Sequence, residues 1–469
     1  MKRLASFALA GLMGLIGACD LDVPDLNNPS LSELQDSPTA VLVEGATTGL
    51  FIGNRRNVAR PNGYVSQLGI LGRESYNFDG ADPRYISEML AGTLSQGSPF
   101  GGNFWALPYA NIRLANVILQ ALDKLSTAEL DDGSKAGIRA VVNTIQAMDL
   151  LEVINTHDTN GAVIDANVEI VLPPAMQPLG AIVDKATTFA RIVSLLDSAA
   201  KDLANPDATF PFQFSPGYAG FTTPKTFLTF NRAIRARVAV YLKDYPTALT
   251  ALAGSFLDDD ETVTPTVPLD LNAGVFHVFS TKTGDTANGL INRNLYAHPS
   301  LETDAEKNAA GEIDARFTRK ITKTAKPRSV GGTMLKSQLQ FGGLYSGPDA
   351  PVPIIRNEEL ILLKAEALFY TGDGAGAVAE LNIVRTKSGG LDPLTGTPTG
   401  ASFLDELLYE RRYSLLFEGG HRWIDLRRFG RTDSLVLDDP AYQRNIRYPI
   451  PLQECNARPN EARCSLGSQ

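Results

Sequence analysis

From Trp105 to Leu125 an apolar side chain recurs every three or four positions, at Trp105, Tyr109, Ile112, Ala115, Ile118, Leu122 and Leu125. That period limits the possible folds more than any other feature of the chain, because it lines one face of an α-helix and cannot line one face of a strand. The same spacing returns at Ile138, Val141, Val142, Ile145, Met148 and Leu151, then at Phe189, Ile192, Val193, Leu196, Ala200 and Leu203, and again at Phe230, Ile234, Val238 and Tyr241. Long amphipathic helices joined by polar loops are the expectation. Residues 20–37 read as an extended lead into them.

Between residues 250 and 350 the period dissolves into short apolar pieces such as VTPTVPLDL and GVFHVFSTK, broken by Pro, Gly and Thr. This predicts a loop-rich insertion with short strands, the natural place for variable function. Helical order resumes over 351–469. IIRNEELILLKAEALFYTGD predicts a helix ending near Gly372, and Ala375, Val378, Leu381 and Val384 form the stripe of a second. Two helices joined by a few residues make an αα-hairpin, the unit that tetratricopeptide arrays repeat at about 34 residues. A third helix is expected from near Ser402 through LLYERRYSLLF into Glu418, ended by Gly419 and Gly420, with WIDLRRFG as a short helix or turn stopping at Gly430. The fold class is therefore mainly α: tetratricopeptide-like helical pairs with an irregular loop and short-strand region. GDGAGA at 372–377 is not a nucleotide fingerprint, because Ala377 takes the last glycine position and a helix precedes the run where a strand is required.

The N-terminus reads as a targeting segment. MKR supplies a positive start, LASFALAGLMGLI an apolar stretch too short to span a bilayer comfortably, and LIGAC ends at Cys19 after two small residues. Either Cys19 becomes a lipidated first residue, with residues 1–18 removed and 19–37 as a tether to a single domain over 38–469, or the segment is an ordinary cleaved secretion signal. The two other cysteines, Cys455 and Cys464, lie in a Pro-rich tail, and in an exported protein they are expected to form a disulfide that staples it. The formal net charge is -9, so a nucleic-acid groove is excluded, and KITKTAKPR at 320–328 is too short to supply one.

FEGGHRWIDLRRFG at 417–430 poses the chemical question, since Glu418 and His421 have the makings of an acid and a base. No nucleophile or second carboxylate accompanies them. The competing account pairs Glu410, Glu418 and Asp425 with Arg411, Arg412, Arg422, Arg427 and Arg428 across a helix junction, with Trp423 beneath, and is preferred because such pairs hold junctions rigid. No H-E-x-x-H or G-x-S-x-G occurs. The four histidines are scattered, so neither metal nor cofactor is expected; Asp258, Asp259, Asp260 and Glu261 could gather calcium but lack the spacing of a calcium loop. His157–Gly161 reads as a turn. For ligand binding the candidates are aromatic: Tyr64, Tyr76, Phe78 and Tyr85 before the Trp105 helix, and Phe276, Tyr296, Phe341 and Tyr345 in the insertion, flat rings able to stack on sugar faces beside polar groups.

Taken together, the segment at Cys19, the acidic Asn-rich lead to Pro29, WALPYANIRLANVIL at 105–119, DARF at 314–317, PVPIIRNEELILLKAEALFYTGD at 351–373, NIVRTKSGG at 382–390, YERRYSLLFEGGHRWIDLRRFG at 409–430 and YPIP at 448–451 resemble the SusD/RagB family of outer-membrane nutrient-binding lipoproteins over nearly the whole length. The EGGHRW run carries one glycine more than the usual form, and Phe429 stands where tryptophan is frequent. The resemblance implies a SusD-like helical fold backing a less regular ligand face. It also implies a non-enzymatic receptor, lipid-anchored on the cell surface, that hands oligosaccharides or other nutrients to a SusC-like TonB-dependent transporter. Trp105, Tyr109, Asn111, Asn116, Arg356, Glu366, Glu410, Arg411, Glu418, Arg422, Trp423, Asp425 and Arg427 match fold-maintaining positions of that family. An exported helical hydrolase and a structural lipoprotein without a small ligand are the alternatives.

Overall fold

Short polar residues start the long helices. Asp131, Asp184, Thr223, Asp244 and Asp373 each stand in the N-cap position and accept a hydrogen bond from the backbone N–H three residues on. This satisfies one of the donors that a helix start leaves without a partner. The computed structural model of the protein describes residues 31–165, 179–260, 269–323, 329–330, 333–334, 336–396 and 398–469. The expected signal segment, the lipidation site Cys19 and the first part of the tether lie outside them.

Among the described residues sixteen α-helices occur with short strands between them, so the fold is mainly α. Ala40–Arg55, Asn103–Lys124, Asp132–His157, Lys185–Leu203, Pro224–Tyr241, Tyr245–Ala253, Asn357–Tyr370 and Gly374–Lys387 pack each on the next or nearly so. Pro224–Tyr241 with Tyr245–Ala253, and Asn357–Tyr370 with Gly374–Lys387, are αα-hairpins joined by three residues. The apolar stripes meet in one core, where Ile118, Val142, Ile145, Leu196, Phe230, Ile234 and Leu363 are fully or nearly fully buried. Asp373, which accepts from the Gly376 N–H at 2.8 Å, makes the glycine-rich run a helix cap.

The insertion contributes three strands to a four-stranded antiparallel sheet in the order Ser75–Asn77, Leu295–Ala297, Leu339–Gln340, Thr322–Lys323, with Tyr76 opposite Tyr296. Val352–Arg356 pairs with Gly274–His277 across a bulge between Pro353 and Ile355. Three local expectations need correction. The lead is not wholly extended, because Leu31–Asp36 forms a helix that buries Leu34. Helices also fill 40–55 and 64–71, where no stripe was recognised. The helix expected to reach Glu418 stops at Ser414, since Phe417 and Gly420 both turn left-handed, at φ 57° and 70°. A Cβ on Gly420 would lie 2.4 Å from that of Leu68, so the turn needs glycine for space as well as for its angle.

The tail folds back as a strap. Cys455 and Cys464 are joined by a disulfide. On either side of it the Leu452 N–H donates to the Gln96 carbonyl at 3.1 Å, Arg463 to the Ile182 carbonyl at 3.0 Å, and the Ile446 N–H to the Ser468 carbonyl at 2.8 Å. No helix among the described residues is long and apolar enough to cross a membrane.

Candidate functional site

The FEGGHRWIDLRRFG run is almost wholly engaged in ion pairs and hydrogen bonds. Glu418 accepts from Arg356 Nε at 2.9 Å and Nη2 at 3.0 Å and from Lys320 Nζ at 3.2 Å, while Arg356 also pairs with Glu358. Asp425 takes Arg411 Nε at 2.6 Å and Arg428 Nε at 2.8 Å, and Arg428 reaches on to Glu366. Glu410 joins Arg316 and Arg385. Trp423 is fully buried, donates from Nε1 to the Asn445 carbonyl, and carries the Arg427 guanidinium 4.4 Å from its ring centre. Arg422 donates to the Gly72 carbonyl at 3.0 Å. His421 lies 4.0 Å from Glu359, and burial pushes its imidazole down to about 4. With Glu418 held by two cations, the pair forms a clamp between helix ends.

A narrow polar pocket lies behind this clamp, lined by Tyr64, Glu152, Tyr241, His277, Glu418 and His421 among others. Burial pushes the Glu152 carboxyl up to about 8, with Asp149 adding to the effect, and pushes His277 down to about 3. Its volume is about 100 Å³. That space suits a few waters, well below the ~300 Å³ or more of ordinary ligand pockets.

The structure moves most of the aromatic candidates into the core. Tyr76, Phe78, Tyr85, Tyr296, Phe341 and Tyr345 are each at most 6% exposed. Tyr76 donates to Asp438, Phe78 lies edge-on to Tyr296, and Tyr85 packs 4.8 Å from Phe100. Phe341 stacks on Phe417 at 4.0 Å, and Tyr345 donates to the Phe417 carbonyl. A ring can stack on a ligand only if one face is free, and these six have none. Tyr64 is half-buried against the narrow pocket, and Phe276 is partly exposed on the strand opposite Pro353. Of the carried-over positions, Trp105 packs between Tyr109 and His157, the Tyr109 hydroxyl donates to the Val163 carbonyl, and Asn111 donates to Asp149 at 2.7 Å. Asn116 accepts from Gln146. In the acidic turn, Asp259 pairs with Lys364, and Glu261 lies outside the described residues.

A larger cleft opens where the helices Ala40–Arg55 and Asn103–Lys124 meet the 279–286 turn, with a volume of about 430 Å³. Gly49, Ile52 and Gly53 come from one helix, Leu107, Ala110 and Leu114 from the other, and Arg55, Arg56 and Arg60 also line it. The helices approach closely because Gly53 has no side chain: a Cβ there would fall 2.0 Å from Asn111 Oδ1. Arg55 is fixed by the turn, donating to the Val278 carbonyl and to Asp285, with its guanidinium 5.7 Å from the Phe279 ring centre. The Gly289 N–H bonds the Ala59 carbonyl at 2.7 Å and locks the 56–60 segment against the insertion. Sequence reasoning passed over this site because it sought aromatic rings. The available signal was RRNVAR at 55–60, three arginines in six residues.

Residues 343–460 match the sequence model of the SusD family. No curated protein sequence matches the chain. Among solved structures, the fold is similar to a SusD superfamily protein from Bacteroides vulgatus, at 15% identity and TM-score 0.66, covering 92% of this chain and 98% of that one. It is similar also to a SusD-like carbohydrate binding protein from Bacteroides fragilis, at 16% identity and TM-score 0.67, covering 91% and 99%. A laminarin binding SusD-like protein aligns at 17% identity and TM-score 0.57, covering 89% and 98%. The chain thus carries the sequence pattern of the SusD family in residues 343–460 and the fold of SusD superfamily structures over about nine-tenths of its length.

Proposed function

We propose that the chain is a nutrient receptor of the outer membrane, anchored by lipid at Cys19 and facing outward, which captures an oligosaccharide and delivers it unchanged to a SusC-like TonB-dependent transporter. The observation that carries this reading is the cleft of about 430 Å³, which combines apolar helix faces with guanidinium donors and lies in the size range of ligand sites. Similar folds whose names record carbohydrate and laminarin binding support the ligand class. Capture without turnover is supported by how the acid and base candidate of the charged run is held, with Glu418 in ion pairs and His421 buried.

Calorimetric titration of the purified chain against a panel of oligosaccharides, with chromatography of each ligand afterwards, tests this. Saturable binding with every ligand recovered intact is expected. Recovery of cleaved products would favour the hydrolase, and silence across the panel would remove the receptor reading.

A further inference from the structure

The charge in the cleft is unbalanced. Three guanidinium groups, of Arg55, Arg56 and Arg60, share it with a single carboxylate, that of Asp285. Asp285 is already committed: it pairs with Arg55, accepts from Ser280 Oγ at 2.7 Å and from the Thr286 N–H at 2.8 Å, and these contacts hold its carboxyl below the usual carboxylate range. The side chains of Arg56, which is exposed, and Arg60, which is half-buried, make no hydrogen bond or ion pair among the described residues. Elsewhere this chain pairs its arginines densely, and its net charge is -9. Two guanidinium groups without a partner among the described residues are therefore not required by the fold.

An anionic ligand supplies what is missing. A guanidinium is a planar fork that meets a carboxylate or a sulfate with two parallel hydrogen bonds, at a fixed orientation. Beside the two arginines the cleft offers apolar surface from Leu107, Leu114 and Ile52, the last 55% exposed, on which the C–H face of a sugar ring can lie. The rest of the site is set in advance, because Arg55 is fixed by Asp285 and Phe279 and the 56–60 segment is bonded to Gly289. Resting on the receptor reading above, we propose that this cleft selects acidic oligosaccharides, with Arg56 and Arg60 holding the carboxylate or sulfate of one sugar unit while neighbouring units lie on the helix faces.

The test uses the full chain in detergent. Affinities are measured by calorimetry for three oligosaccharides of equal length, one carrying uronate carboxylates, one carrying sulfate esters and one neutral, at low and high salt. The acidic ligands should bind roughly 10- to 100-fold more tightly than the neutral one. The advantage should shrink as salt rises. The double variant R56Q/R60Q should lose that advantage while keeping its melting temperature. A uronate-only or sulfate-only preference names the anion. Equal binding of all three, or an acidic preference that survives in the double variant, overturns acidic selection and leaves the receptor standing. Failure of all three ligands to bind removes both.

Discussion

Glu418 is 5% exposed and accepts charged hydrogen bonds from Arg356 and Lys320, so its carboxylate is the counterion for two buried cations. Breaking a buried pair from one side leaves charge without compensation, which typically costs about 3–5 kcal/mol. Glu418→Gln should therefore lower the melting temperature sharply while leaving ligand affinity of the folded fraction unchanged. Calorimetric melting alongside a titration checks both, and an unaltered melting curve would reject the clamp. That charged run could be read in the sequence as scaffolding because its acids and bases are dense and sit at a helix break. The aromatic residues could not be placed the same way. A tyrosine in a loop-rich stretch has the same sequence whether its ring faces solvent or, as with Tyr76 beside Asp438, fills the core.

At the scale of elements, the cleft depends on how closely two helices cross. Gly53 meets Asn111, whose amide is tied to the Leu50 carbonyl and to Asp149, so the neighbour has little room to move. Gly53→Ala should destabilise the protein by about 1–3 kcal/mol through overpacking and should also weaken ligand binding, since the cleft floor shifts with the crossing. Thermal melting and titration of the same variant separate the two effects; full affinity would place the ligand elsewhere. The tail strap predicts differently. Closing a loop across nine positions is worth roughly 2–3 kcal/mol of chain entropy. The double variant C455S/C464S should raise amide exchange over 446–468, the Leu452 N–H that donates to Gln96 included, while leaving binding intact. Helix existence was legible wherever the stripe was long, but Ala40–Arg55 was missed because its small and polar residues blur the period. The start near Ser402 was legible to within two residues, and an Asp or Thr cap marks five others that the apolar stripe alone does not locate.

Across the whole molecule, two sets of buried groups pull stability in opposite directions with pH. All four histidines of the chain are buried, and burial lowers His157 and His421 to about 4 and His277 and His298 to about 3. They bind protons more readily unfolded, so stability falls as pH drops below about 6.5. Burial raises Glu74, Asp149, Glu380 and Glu410 to about 7 and Glu152 to about 8. These hold protons more tightly when folded, so stability falls as pH rises from about 4.5 to 8. Glu358, lowered to about 2 beside Arg356, adds a further loss below about 4.5. The two losses overlap between about pH 4.5 and 6.5 and offset each other there, so the expected melting temperature peaks near pH 5 and declines on both sides. A scan from acid to alkali checks it, and a steady rise from pH 5 to 8 would contradict the carboxyl assignments.

The residues that match the family, 343–460, hold the charged junction and the C-terminal hairpin, whereas every residue lining the cleft lies within 49–114 or 279–286. On the proposed reading of the cleft, heredity can alter cargo and architecture separately. A lineage can exchange arginines at 56 and 60, or rewrite the 279–286 turn, without disturbing the pairs around Glu418 and Asp425. Under that reading, what such a chain collects and how it is built are written in separate stretches of its sequence.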